Sequence, residues 1–85
     1  MDLDQRIAAV KKEIAIEKRK VAAAKRRLQV AEATGVPGKI LMANQGLRIA
    51  LQFCLDAEKK HRELLNEKIE FLEGKKKVLL KRLRS

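Results

Sequence analysis

The chain has one strong interruption, and it lies near the centre. The stretch "EATGVPGK", Glu32 to Lys39, holds the only proline and two of the four glycines. Long segments on either side carry almost no breaker. Such a chain is limited to two extended elements joined at one tight corner. Composition says which kind. Ala, Leu, Glu, Lys and Arg dominate, and Phe53 and Phe71 are the only aromatics. That usage belongs to long helices or coiled coils, whereas strands favour Val, Thr and aromatic residues.

Apolar spacing supports helices. Leu3, Ile7, Val10, Ile14, Glu17, Val21, Ala24, Leu28 and Ala31 step alternately by four and three. This is a heptad seam with one polar member, Glu17. Asp2 and Gln5 have the spacing of a capping box, and Gly35 suits the left-handed residue after a helix. The first helix is therefore expected over about 3–34, the turn over 35–38, and the second helix over about 39–73. A basic tail follows at 74–85, with a helical continuation possible through the i, i+4 pair Glu73 and Lys77. Residues 39–46 favour helix, with Gly46 at a close backbone approach; the alternative is a loop with Asn44-Gln45-Gly46 capping a later start. In the second helix the seam reads Ile40, Leu47, Leu51, Cys54, Glu58, His61, Leu65, Ile69, Leu72, Leu79 and Leu83, with a slip near Leu65. A second stripe runs beside it: Ala43, Gly46, Ala50, Phe53, Ala57, Leu64 and Phe71.

Two long helices around one short breaker imply an all-α fold, an antiparallel coiled-coil hairpin forming a single domain over 1–85. Positions whose numbers sum to about 73 then face each other. One seam is consumed by that pairing. Ile16, Val30, Phe53, Leu64 and Phe71 are left over and gain nothing from exposure, which marks them as a dimer or partner interface. The expectation is a homodimer forming a four-helix bundle, with a partner helix from another protein as the alternative.

Glu17, Glu58 and His61 fall at similar heights along the hairpin and are expected to form a polar layer that sets register. Catalysis would need an acid, a base and a pocket. Cys54 and His61 are about 10 Å apart along one helix at about 1.5 Å per residue, too far for a nucleophile–base hydrogen bond. No catalytic residue, metal ligand or cofactor is assigned, and the chain is not read as an enzyme.

The formal net charge is +10 and is unevenly placed. Lys11-Lys12, Lys18-Arg19-Lys20 and Lys25-Arg26-Arg27 recur every seven residues at the outer positions of the first helix. Lys75, Lys76, Lys77, Lys81, Arg82 and Arg84 make the tail basic. These residues are the expected anion-binding set. Part of the stripe pairs across the hairpin, Arg6 with Glu67 for example, but Lys25 to Arg27 face a stretch without carboxylates. The anionic partner is an acidic protein or nucleic acid, the latter bound without sequence preference through phosphates. Val78, Leu79, Leu80 and Leu83 give the tail an apolar side, suited to an anionic membrane surface or a groove; a disordered nuclear-import-like run is an equal alternative, and continuation of the bundle stands against these together.

The first helix carries "KKEIAIEKRKVAAAKRRL" (11–28). In length, architecture and the apolar–x–apolar "IAI" followed by charges, the hairpin resembles the antiparallel coiled-coil finger of Rho-GTPase effector proteins. The small-residue Gly-Ala step usual in that family is missing, and "VAAA" stands nearby. The resemblance implies a small GTPase docked on the exposed apolar stripe. A lone cysteine, an acidic start without an apolar leader, and no long apolar run lead to the expectation of an intracellular, cytoplasmic or nuclear chain, not secreted and without a transmembrane segment.

Overall fold

A computed structural model describes residues 2–84; Met1 and Ser85, the ends of the expected 1–85 unit, lie outside the described residues. Two helices make up the molecule, α1 (Leu3–Thr34) and α2 (Pro37–Arg84), and no strand occurs among the described residues. They run antiparallel, tied by Asp4–Lys68, Arg6–Glu67 and Glu13–Lys60 ion pairs at 2.7, 3.8 and 3.5 Å. The rod measures 74 × 17 × 15 Å.

Local chemistry explains the ends of α1. The Gln5 backbone N–H donates to Asp2 Oδ1 at 2.8 Å, and the Asp2 N–H donates to Gln5 Oε1 at 3.3 Å. Two donors that the helix leaves unpaired are thus satisfied reciprocally. At the other end Gly35 has φ 67° and its N–H donates to the Glu32 carbonyl at 3.1 Å. A side chain there would be strained, which is why glycine closes the helix.

The turn is tighter than expected. Only Gly35 and Val36 lie between the helices, and Pro37 and Gly38 already belong to α2. Proline in the first helical position loses no bond, since the first helical N–H with a partner is that of Ile40, donating to Val36 O at 3.1 Å. Residues 39–46 are helical. Gly46 is not a point of close approach: nothing lies within 4 Å of where its Cβ would be.

The far end takes the helical continuation. α2 does not stop at Glu73 but continues to Arg84. Gly74 keeps a negative φ, so it acts as an ordinary helical residue costing about 1 kcal/mol relative to Ala rather than as a cap. Lys81, Arg82 and Arg84 occupy the last turn, where positive charge complements the helix dipole. Because the start of α1, Asp2 and Leu3, lies against Phe71, Leu72 and Lys75, the last nine residues of α2, 76–84, project beyond its partner, about 14 Å of helix.

The α1 side of the core follows the heptad. Ile7, Val21, Ala24 and Ala31 are buried, and Leu3, Val10, Ile14, Glu17 and Leu28 are half-buried. The α2 side follows a different line. Ile40, Ala43, Leu47, Ala50, Cys54, Ala57, His61, Leu64 and Lys68 face inward in unbroken steps of three and four. Leu51, Leu65, Ile69 and Leu72 are outside. There is no slip at Leu65. The seam passes through the small residues of the expected second stripe, and Ala57, 1% exposed, is its most enclosed member. Continuity of register outweighs side-chain size: a slipped seam would rotate its large residues off the partner helix.

Candidate partner-binding surfaces

One flank of the hairpin is a ladder with two chemistries. Arg6–Glu67 and Glu13–Lys60 are ion pairs. The next two rungs of the same register set Lys20 against Phe53 and Arg27 against Gly46. No carboxylate stands across from either cation. Lys20 turns instead to Glu17 on its own helix, at 3.3 Å. The missing side chain of Gly46 and the small seam residues open a groove of about 640 Å³. Val30, Met42, Ile49 and Phe53 supply its apolar lining, and Lys20, Arg27 and Lys39 its cations. The apolar four are all more than half exposed, from 59% for Phe53 to 73% for Met42.

The expected interface residues divide accordingly. Val30 and Phe53 meet in this groove. Ile16 lies on the same flank of α1, exposed but outside the groove lining. Phe71 sits at the opposite end, exposed, with the Lys75 ammonium 4.7 Å from its ring centroid. Leu64 is a correction: it is buried inside the hairpin and offers nothing to a partner. Met42 and Ile49 were missed. Their signal was present, since 39, 42, 46, 49 and 53 step by three and four beside the inner seam.

Glu17, Glu58 and His61 are each half-buried, but no hydrogen bond links them among the described residues. Glu17 goes to Lys20. Glu58 accepts from the Cys54 thiol at 3.8 Å. His61 Nε2 is enclosed and has no partner. Burial pushes the Cys54 thiol pKa up, and the Glu58 charge adds to it. A thiol held neutral in this way is a poor nucleophile. Among the described residues no group of three His, Cys, Asp or Glu side chains is placed to hold a metal ion.

All fourteen residues of the expected anion-binding set are exposed. Lys11, Lys18 and Lys25 line one side of α1, with Lys12, Arg19 and Arg26 on its outer face. None of these six makes an ion pair with another described residue. No helix among the described residues is long and apolar enough to cross a membrane. Compared with family models, curated proteins and solved structures, the chain matches none.

Proposed function

We propose that this hairpin is a non-enzymatic interaction module whose groove near the turn receives an amphipathic helix with acidic flanks. The observation behind the reading is the groove itself: Val30, Met42, Ile49 and Phe53 lie uncovered between rims that carry Lys20, Arg27 and Lys39. Apolar side chains grouped along a furrow gain from being covered by a third helix, read at i, i+3 and i+7 spacing. The cations on the rim choose its charge. A four-helix bundle formed by two copies through this groove would set Lys20, Arg27 and Lys39 beside their counterparts, a like-charge contact that costs binding. An acidic-flanked partner helix has the opposite effect.

The test is a fluorescence titration with a labelled helical peptide carrying Leu at seam positions and Glu on both flanks, and its Lys-flanked twin. The Glu peptide binds, binding weakens with salt, and Phe53→Asp with Ile49→Asp abolishes it. Equal binding of both peptides, or indifference to the groove substitutions, overturns the reading.

A second reading, sequence-independent nucleic-acid binding, is favoured by the six cations of α1 that have no ion pair. The same titration with a short duplex would give a logarithmic affinity falling linearly with logarithmic salt. Neutralising Lys11, Lys18 and Lys25 to Gln would reduce that slope, and an unchanged slope would exclude the stripe as the phosphate contact.

A further inference from the structure

The other flank of α2 carries a seam that the hairpin does not use. Leu65, Ile69, Leu72, Lys76, Leu79 and Leu83 step by four, three, four, three and four. All five apolar members are exposed, rising from 36% at Leu65 to 83% at Leu83. The inner seam cannot claim them. It ends at Lys68, and its next positions, Phe71, Lys75, Val78 and Arg82, are mixed. Beyond Lys75 no part of α1 among the described residues lies alongside. This second seam begins on the side of the hairpin and runs out along the projecting end of α2.

Its pattern is symmetric about residue 74. Reversed about that point, Leu65 falls on Leu83, Ile69 on Leu79, and Leu72 on Lys76. Each pair matches one heptad class to the other, which is the layer geometry of an antiparallel coiled coil. Charge is segregated about the same point. Glu63, Glu67, Glu70 and Glu73 precede it, and the one cation among them, Lys68, is bound by Asp4 at 2.7 Å. Six basic residues and no acidic one follow it.

We infer that a second copy of this chain docks on this seam, antiparallel, so that residues 65–83 of each copy cover those of the other. This rests on reading the hairpin as an interaction module and names a partner for a face distinct from the groove. The antiparallel arrangement brings each basic end near the acidic stretch of the other copy as a field, with Glu63, Glu67 and Glu70 and Lys77, Lys81 and Arg84 at outer positions, while Lys68 nears Arg82 of the second copy in like charge. Lys76, the polar break in the seam, falls opposite Leu72 and one residue from Glu73 of the second copy. A parallel pair would instead place Lys76 on Lys76 and the six cations of each end side by side, and is disfavoured. At the two-fold axis Glu73 nears its counterpart and Lys75 its own, so the leucines, with the field of the two stretches, hold the joint. Lys75 is drawn back over its own Phe71 ring, away from that contact.

The experiment uses the full chain with Cys54→Ala as the background, so that no native thiol interferes. One sample carries Ile69→Cys and a second carries Leu79→Cys. After mixing under mild oxidation, the antiparallel joint gives the 69–79 heterodimer far in excess of either homodimer. A predominance of homodimers means a parallel pair, and no disulfide dimer means no joint; either overturns the inference. Light scattering on the unmodified chain runs beside it. The mass exceeds 9.7 kDa and rises with concentration, Leu72→Asp with Leu79→Asp returns it to that of a single chain, and Phe53→Asp with Ile49→Asp leaves it unchanged. Should the groove pair abolish association while the seam pair does not, the seam inference falls and the groove itself becomes the self-contact. A single-chain mass throughout, together with binding of the end to phosphatidylserine vesicles that Leu79→Asp removes, would make the seam a lipid face and overturn the inference. The peptide titration judges the groove reading separately in every case.

Discussion

The half of the hairpin near the turn and the half near its open end are built differently from the same two helices. At the open end Asp4, Arg6 and Glu13 reach across to Lys68, Glu67 and Lys60, and the enclosed side chains include Ile7 and Leu64. Near the turn no ion pair crosses between the helices among the described residues, and alanines at 24, 31, 43 and 50 fill the seam. The open half is saturated along the groove flank. The turn half leaves that flank apolar and rimmed with cations. A two-helix rod can thus close one segment of a continuous seam with crossing ion pairs and leave an open, cation-rimmed apolar flank in another.

The largest expected effects break the contrast in opposite ways. Leu64→Ala removes a large side chain from the open half and is expected to cost about 2–5 kcal/mol, as buried Leu truncations do. Near and above the midpoint the seam should resent the reverse change. Ala24→Leu or Ala57→Leu overfills it and is expected to cost about 1–3 kcal/mol. Urea unfolding followed by circular dichroism measures both. If Ala57→Leu were neutral, the small-residue seam would not be closely packed.

His61 sharpens the boundary between the halves. Its Nε2 is enclosed without a partner, and an orphaned polar atom costs about 1–3 kcal/mol. His61→Leu continues the apolar seam and is expected to raise the unfolding midpoint. A lowered midpoint would show that the imidazole has a polar role there.

Gly46→Ala is smaller and more pointed. It adds a methyl where nothing lies within 4 Å, so it stabilises α2 by about 1 kcal/mol through helix propensity alone. The same methyl enters the groove floor and is expected to weaken the Glu-flanked peptide. Stability and binding would then move in opposite directions from one substitution, which a purely structural glycine would not produce.

The pH effect is the mildest. Burial, reinforced by Glu58, raises the Cys54 pKa in the fold. The native state therefore favours the neutral thiol. Its contribution is complete below the ordinary value of 9.0 and is lost as pH rises through the higher native value. The stability difference between the wild type and Cys54→Ala, followed from neutral pH upward, is expected to hold up to about pH 9.0 and to shrink as pH rises from there through the native value. A change confined to acid pH would contradict it.

The first helix was legible in the sequence because its apolar residues offer one heptad line, and Leu3 to Ala31 lie along it as read. The second was not, because α2 carries three lines at once: the inner seam, the groove flank and the outer flank. Leu51, Leu65 and Leu72 draw attention by size, yet choosing them required a slip in register that the paired helix does not make. Ala43, Ala50 and Ala57 give a weak hydrophobic signal and a strong geometric one. Leu64 was misplaced for the same reason. The groove was half legible: Val30 and Phe53 stood out as unpaired, while Met42 and Ile49 acquire meaning once the inner line is known. The polar layer could not be judged from spacing, because equal height along a rod does not decide which way Glu17, Glu58 and His61 turn.

The most direct measurement is amide NMR of the isotopically labelled chain, with the Glu-flanked helical peptide added stepwise. Shifts are expected to concentrate at Val30, Met42, Gly46, Ile49 and Phe53, with the open half from Asp4 to Glu13 and from Lys60 to Lys68 left still. Shifts confined to Lys75 through Arg84, or spread evenly over every lysine, would contradict it, and the groove would be a feature of the fold without a partner.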